Sequence, residues 1–371
     1  MKYPDAIVIG AGIVGASCAW ALARAGVGVQ VIESGTTGGG ATAGGMGHLV
    51  VMDDSEAEFA LTRYSRARWL ELANEMPDAC EFRRFGTIWV AADEEELDAV
   101  RRKHAWYGER DVATEILDSR ALAEAEPNLR SGLAGGLLVP DDAVIYAPAA
   151  ARWLLERALA KGAVLTNGEV VKLEGSGARL ASGDTFACGT VIVANGCAAM
   201  QLFADLPMRP RKGHLAISER YPGFVNHQLI ELGYLKSAHG AAAESVAFNA
   251  QPRPTGQILL GSSRQFDDTA GVDNLILSRM LGRAVEYMPD LRQLAVIRVW
   301  TGFRAATPDR LPLIGPYEAD DFLLATGHEG LGITTSLATG ELIASMVTGS
   351  LAPLAPDAFL PARYALERAH A

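Results

Sequence analysis

Six residues in the first strand-to-helix turn constrain this chain more than any others. Gly10-Ala11-Gly12-Ile13-Val14-Gly15 follows directly on the apolar, β-branched run Ala6-Ile7-Val8-Ile9. An alanine-rich helical stretch runs on to Ala25. After Gly26 a second run, Val29-Gln30-Val31-Ile32, ends at Glu33. The order is strand, glycine turn, helix, strand, acid. Gly10 permits the tight turn, Gly12 lets backbone approach a pyrophosphate, and Gly15 lets the helix pack close to the strand. The helix start presents N–H groups and partial positive charge to phosphates. Glu33, 18 residues beyond Gly15, is placed to accept hydrogen bonds from the two hydroxyls of an adenosine ribose. A bound dinucleotide is the expectation, and a ligand-free glycine turn is the alternative.

The rest of the composition narrows the class. A chain of 371 residues has room for about two domains and a large core. A net charge of −11 argues against nucleic acid and anionic membrane as main partners. The four cysteines, Cys18, Cys80, Cys188 and Cys197, form no C-x-x-C. That usage fits a reducing compartment and argues against an iron–sulfur cluster held by this chain alone. The histidines show no metal-ligand spacing, so no metal site is expected. The first strand starts within five residues, with no signal-peptide n-region before it, and no apolar stretch reaches 18 residues. The expectation is a cytoplasmic protein with no membrane span.

Glycine-turned strand–helix units recur along the chain. A second glycine-rich segment, Gly38 to His48, is too rich in glycine for a regular element and directly follows the ribose-binding acid. Periodicity predicts helices over Ser55–Met76, Glu94–Tyr107, Asp118–Glu126, Pro148–Leu159 and Asn274–Met288. Strands are predicted over Phe85–Ala91, Gly135–Pro140, Val164–Leu165, Val170–Leu173 and Gln257–Gly261. Thr190-Val191-Ile192-Val193-Ala194 is a continuous apolar run, as in a strand buried on both faces of a parallel sheet. Asp321–Thr326, Gly327–Gly332 and Ile333–Val347 repeat the opening order of strand, turn and helix. Between Arg211 and about Val299 the pattern is more β-like. The fold class expected is α/β: a Rossmann-like dinucleotide-binding domain in discontinuous segments, with an inserted strand-rich (α+β) domain.

Four motifs together resemble the D-amino-acid oxidase superfamily of flavoproteins, in its glycine oxidase and sarcosine oxidase branch. They are the opening G-x-G-x-x-G with Glu33, the Gly38–His48 loop, the stretch Trp300-Thr301-Gly302-Phe303-Arg304 through Gly315, and Ala325-Thr326-Gly327-His328-Glu329-Gly330-Leu331-Gly332-Ile333-Thr334. Ala43–Ser55 and Gly327–Thr335 look most like a narrower group. These are the FAD-bearing β subunits of D-hydroxyproline dehydrogenase, opine oxidases and hydrogen cyanide synthase. The resemblance implies FAD as cofactor and oxidation of a C–N bond in an amino acid, imino acid or secondary amine, with hydride passing to flavin N5 and an imine as product. It also implies partner subunits carrying FMN or an iron–sulfur centre. The alternatives are a stand-alone glycine or D-amino-acid oxidase using oxygen and a non-catalytic flavin-binding scaffold. The segments 1–84, 141–210 and 300–371 are expected to form the FAD domain, and 85–140 and 211–299 the substrate and interface domain.

The resemblance also assigns residues. Arg304 is expected to hold the substrate carboxylate bidentately. His48, which falls near the ring by position, is expected to make a polar contact with substrate or flavin, with covalent attachment the alternative. Gly10, Gly12, Ile13, Val14, Gly15, Glu33 and Ser34 would hold the dinucleotide. Ala41, Thr42, Gly44, Gly45, Met46 and Gly47 would run along the pyrophosphate and reach the ring, with Thr42 donating to a phosphate and Met46 also facing substrate. Val171 would meet adenine through its backbone. Ala194, Asn195 and Gly196 would pass near the cofactor, as would Gly302. Backbone N–H groups of the turn and helix start formed by His328, Glu329, Gly330, Leu331, Gly332, Ile333 and Thr334 would stabilise negative charge on reduced flavin. The stretch Lys236–Gln251 is the candidate pocket wall, with Tyr234, Phe248 and Asn249 as substrate-facing side chains.

Overall fold

A computed structural model describes residues 4–175, 177–233, 244–317 and 319–364. The chain divides into two compact units, one from residues 1–80, 146–210 and 303–371, the other from 81–145 and 211–302.

The first unit is built on a six-stranded sheet in the order β18-β19-β12-β1-β2-β8. Its strands are β1 (Ala6–Ile9), β2 (Val29–Glu33), β8 (Val164–Asn167), β12 (Thr190–Val193), β18 (Leu313–Tyr317) and β19 (Ala319–Thr326). All neighbours run parallel except β18 and β19. The central strand β1 is buried along its whole length, which is why its sequence is apolar without alternation. Ile7 and Ile9 point into a core shared with Val191, Val193, Leu180, Phe203 and Leu206. Part of that core comes from a small antiparallel sheet of β9 (Val170–Leu173), β10 (Gly177–Leu180) and β11 (Thr185–Ala187), and the short helix α7 (Ala199–Leu202) packs on β9. The helix α1 (Ile13–Arg24) packs between α6 (Ala147–Leu159) and the C-terminal α9 (Gly332–Thr348). Gly340 allows the closest approach, since a Cβ there would lie 2.6 Å from the Ser17 carbonyl oxygen. α3 (Glu56–Leu72) lies against α9. Its Ser55 side chain caps it by accepting the Glu58 N–H. The glycine-rich segment differs from expectation. Gly40–Ala43 makes one helical turn, α2, after the extended Gly39, and His48–Leu49 forms the short strand β3.

The second unit is an eight-stranded sheet in the order β17-β13-β16-β15-β14-β4-β6-β5. These strands are β4 (Thr87–Ala91), β5 (Glu115–Asp118), β6 (Gly135–Val139), β13 (Arg209–Arg220), β14 (Gln228–Glu231), β15 (Glu244–Pro252), β16 (Gln257–Gln265) and β17 (Val296–Ala306). A two-residue strand, β7 (Ala143–Val144), follows β6. One face packs on α5 (Ser119–Ala125) and α8 (Asn274–Tyr287) through Ile88, Val90, Leu122, Phe248, Met280 and Tyr287. α4 (Glu94–Gly108) starts at Asp93, whose side chain accepts the Glu96 N–H. Asp118 and Asp273 cap α5 and α8 in the same way, which made these helix starts readable from sequence. Among the described residues no helix is long and apolar enough to cross a membrane.

Candidate functional site

The first unit gathers its glycine segments at the C-terminal ends of the parallel strands, where open α/β sheets bind ligands. Gly10 ends β1 with φ +99°, a left-handed value that favours glycine. A Cβ on Gly10 would lie 2.9 Å from the Ala194 carbonyl oxygen at the end of β12. A Cβ on Gly15 would lie 1.9 Å from the Gly10 carbonyl oxygen, so no other residue fits there. α1 therefore starts hard against the sheet. No side chain caps it at Gly12 and no acid stands in its first turn. By helix geometry the first N–H groups have no intrahelical acceptor. The Ile13 N–H goes to Thr42 Oγ1 at 3.0 Å. Thr42 thus accepts from the helix start, and its own hydroxyl proton is the one left to donate.

Glu33 closes the other side of this turn. Its carboxylate accepts the Ala11 N–H at 2.6 Å and the Gly35 N–H at 2.7 Å. Two backbone bonds leave further lone pairs on the same oxygens for ribose hydroxyls. Asn167 lies beside Glu33 in the β2–β8 register, and the Gly168 N–H bonds the Glu33 carbonyl at 2.9 Å. Val171 follows on β9 and is exposed. Ser34 is exposed beside Glu33.

The turn before α9 meets this cradle. α9, like α1, has no side-chain cap and no acid in its first turn. A Cβ on Gly332 would lie 3.9 Å from Val14 Cγ2, so the two helix starts are neighbours. A Cβ on Gly45 would lie 2.8 Å from Ile333 Cδ1, which brings the second glycine segment to the same place. Thr334 Oγ1 donates to the His48 carbonyl at 2.8 Å and accepts the Val50 N–H at 3.4 Å. His48 is half-buried and held on this short strand by its backbone. Trp69 on α3 donates its Nε1–H to the Ile333 carbonyl at 3.2 Å. Thr326 at the end of β19 donates to the Gly196 carbonyl at 3.1 Å. Sequence reasoning did not single out the Thr334, Trp69 and Thr326 braces, because each joins residues far apart in the chain.

Arg304 stands beside the same turn. A Cβ on Gly330 would lie 3.8 Å from Arg304 Nε, and the Glu329 N–H bonds the Ala305 carbonyl at 3.0 Å. The guanidinium and the α9 start therefore face one region of the first unit. Gly302 is the last residue of the second unit, where β17 runs on toward Arg304. His328 is buried, and its Nε2 sits 2.9 Å from Thr339 Oγ1. Thr339 Oγ1 donates to the Thr335 carbonyl at 3.1 Å, so Nε2 is the protonated nitrogen of a neutral imidazole. Burial pushes the His328 pKa down to about 3. His328 is thus a brace between turn and helix.

One expectation for the substrate-facing residues changes. Phe248 belongs to the helix-side core of the second unit, 0% exposed, with its ring stacked 4.7 Å from that of Tyr287. The strand alternation places Asn249 on the opposite face, where Oδ1 is buried without a partner. Tyr234 and half of the Lys236–Gln251 stretch, residues 236–243, lie outside the described residues.

A strand–turn–helix cradle with an acid at the end of β2, two helix starts without an N-cap side chain and a flanking arginine suits a dinucleotide-dependent oxidoreductase. The residues fit the flavin dinucleotide. Asn195 Oδ1 is buried with no partner next to Gly10, an acceptor suited to a cofactor hydroxyl or amine. Residues 5–346 match the FAD dependent oxidoreductase (DAO) family, and the chain belongs to it. It is 30% identical to the glycine oxidase of Geobacillus kaustophilus over 92% of each protein. It is 29% identical to the hydrogen cyanide synthase subunit HcnC of Pseudomonas aeruginosa, over 98% of this chain and 97% of that one. The solved glycine oxidase of Geobacillus kaustophilus superposes with a TM-score of 0.87 at 26% identity, covering 98% of this chain and 99% of that one. The chain is thus a FAD-dependent oxidoreductase with an α/β cofactor unit and a sheet-rich second unit.

Proposed function

We propose that the chain oxidises the C–N bond of an amino acid, imino acid or secondary amine, as the catalytic FAD subunit of a multi-subunit dehydrogenase. The observation that carries this is Arg304 lying beside the Gly330 turn. A planar guanidinium holds a carboxylate in one orientation, and the uncapped α9 start supplies N–H groups for negative charge close by. When bound, FAD supplies the two-electron acceptor. Glu33, the α1 start and Thr42 would hold its adenosine and pyrophosphate. Gly330, Leu331, Gly332 and Ile333 would face the ring. Arg304 would fix the carboxylate of the substrate, with His48 and Met46 lining the same side. Hydride transfer from a neutral amine needs no protein base at the α-carbon, so Arg304 and the turn suffice as polar machinery.

The relatives support the reading at two levels. Glycine oxidases act on an amino acid, and HcnC is by name a subunit. The test is anaerobic mixing of the yellow protein with glycine, sarcosine, D-proline, D-hydroxyproline and opines. Bleaching of the flavin by at least one of them is expected. No bleaching by any amine would leave the scaffold alternative standing. A second reading, an oxidase acting alone with oxygen, is supported by the full-length superposition on glycine oxidase.

A further inference from the structure

Behind the cofactor-facing turn, three stretches of the first unit bring four charged side chains together. Glu58 lies in the first turn of α3 and Asp54 just before it, Arg310 lies in the loop that follows β17, and Glu329 lies in the turn itself. Glu58 is only 6% exposed. Its carboxyl accepts the Asp54 backbone N–H, and its Oε2 is buried with no partner. Arg310 reaches Asp54 at 3.6 Å. Arg310 (φ +67°) and Glu329 (φ +45°) both hold left-handed backbone. They are the non-glycine residues of this unit that do so among the described residues. Such conformations persist where the surroundings impose them, and they cluster at functional sites.

We propose that Glu58 is a proton site coupled to the charge on the cofactor, taking a proton from solvent onto its carboxylate when negative charge arrives on FAD. The inference rests on the flavin reading above and goes beyond it. Among the described residues the charged groups that face Glu58 are Asp54, Arg310 and Glu329. Burial and then Asp54 push its carboxyl up to about 8; Arg310 opposes this and Glu329 adds to it. Glu329 shares its turn with the N–H groups assigned to the reduced ring. Extra negative charge there raises the Glu58 pKa further. Between the two values the reduced protein holds one proton more than the oxidised protein.

The test is the midpoint potential of the bound FAD as a function of pH, measured on the purified holoprotein. In the natural protein the plot should steepen by one proton per two electrons above about pH 8. Glu58→Gln should remove that step while the flavin stays bound. Arg310→Gln should move the step to higher pH, and Glu329→Gln to lower pH. These opposite shifts also decide the matter if Glu58→Gln does not fold. A step that survives Glu58→Gln, or shifts of the same sign in Arg310→Gln and Glu329→Gln, overturns the proposal and leaves the flavin reading intact. A protein that takes up no FAD overturns both.

Discussion

At the scale of single residues, the proposed chemistry rests on Arg304 and the pH response of stability on His328. Loss of a bidentate carboxylate partner removes two charge-assisted hydrogen bonds, each worth about 1.5–3 kcal/mol. Arg304→Ala should therefore raise KM for the amine by on the order of 100-fold or more, with the visible flavin spectrum unchanged. Steady-state kinetics on a holoprotein of known flavin content checks this. Unchanged KM and kcat would remove Arg304 from the substrate site. His328 makes a separate prediction about stability. Burial holds its folded pKa near 3, below the ordinary value of 6.5. As pH falls below 6.5 the unfolded chain binds the proton first, so the contribution is fully present above 6.5 and is lost as pH falls toward 3. Over that window the imidazole should contribute a loss of about 1.4 kcal/mol per pH unit. His328→Gln, which keeps a donor toward Thr339, should flatten the acid limb of a denaturant-midpoint-against-pH curve. Parallel curves for the two proteins would show that His328 does not titrate this way.

At the scale of elements, the glycine turns decide whether the cradle exists. A Cβ at Gly15 meets the Gly10 carbonyl at 1.9 Å, whereas a Cβ at Gly12 meets only the movable Thr42 hydroxyl at 3.2 Å. Gly15→Ala should therefore yield protein without flavin, or no folded protein. Gly12→Ala should keep the fold and weaken FAD retention by a smaller factor. Absorbance of the purified variants and flavin titration rank the two, and equal retention would sink the argument. This contrast follows a line between what local sequence shows and what it hides. The α1 start was legible because glycines, β-branched strand residues and an acid stand at fixed offsets. The capped starts of α4, α5 and α8 were legible because an acid precedes each apolar period. The single turn of α2 was hidden, since glycine at Gly39, Gly40 and Gly44 carries no helical signal. Phe248 was read as a pocket wall because an aromatic beside Asn249 gives no sign of which sheet face it takes. The braces Thr334 to His48 and His328 to Thr339, and the meeting of Glu58 with Arg310, depend on long-range packing that no local pattern encodes.

At the scale of the whole molecule, the open question is where the electrons go. The chain covers 98% of its length against both the solved glycine oxidase and the HcnC subunit, and nearly all of each of them. A relative named as an oxidase and one named as a subunit are thus both matched along nearly their whole length. All four cysteines are free thiols, and Cys18 is buried in α1, where desolvation pushes its pKa up to about 12. A thiol held protonated in that way is a poor nucleophile. The acceptors to separate are molecular oxygen and a partner with its own redox centre. The subunit reading predicts slow reoxidation by air after anaerobic reduction with a productive amine, and fast reoxidation by an artificial one-electron dye. The oxidase reading predicts peroxide at a rate equal to turnover from the isolated chain. Stopped-flow recovery of the yellow absorbance, run in parallel with a peroxide assay, separates them. Peroxide production that keeps pace with amine consumption by the lone chain would rule out the need for a partner.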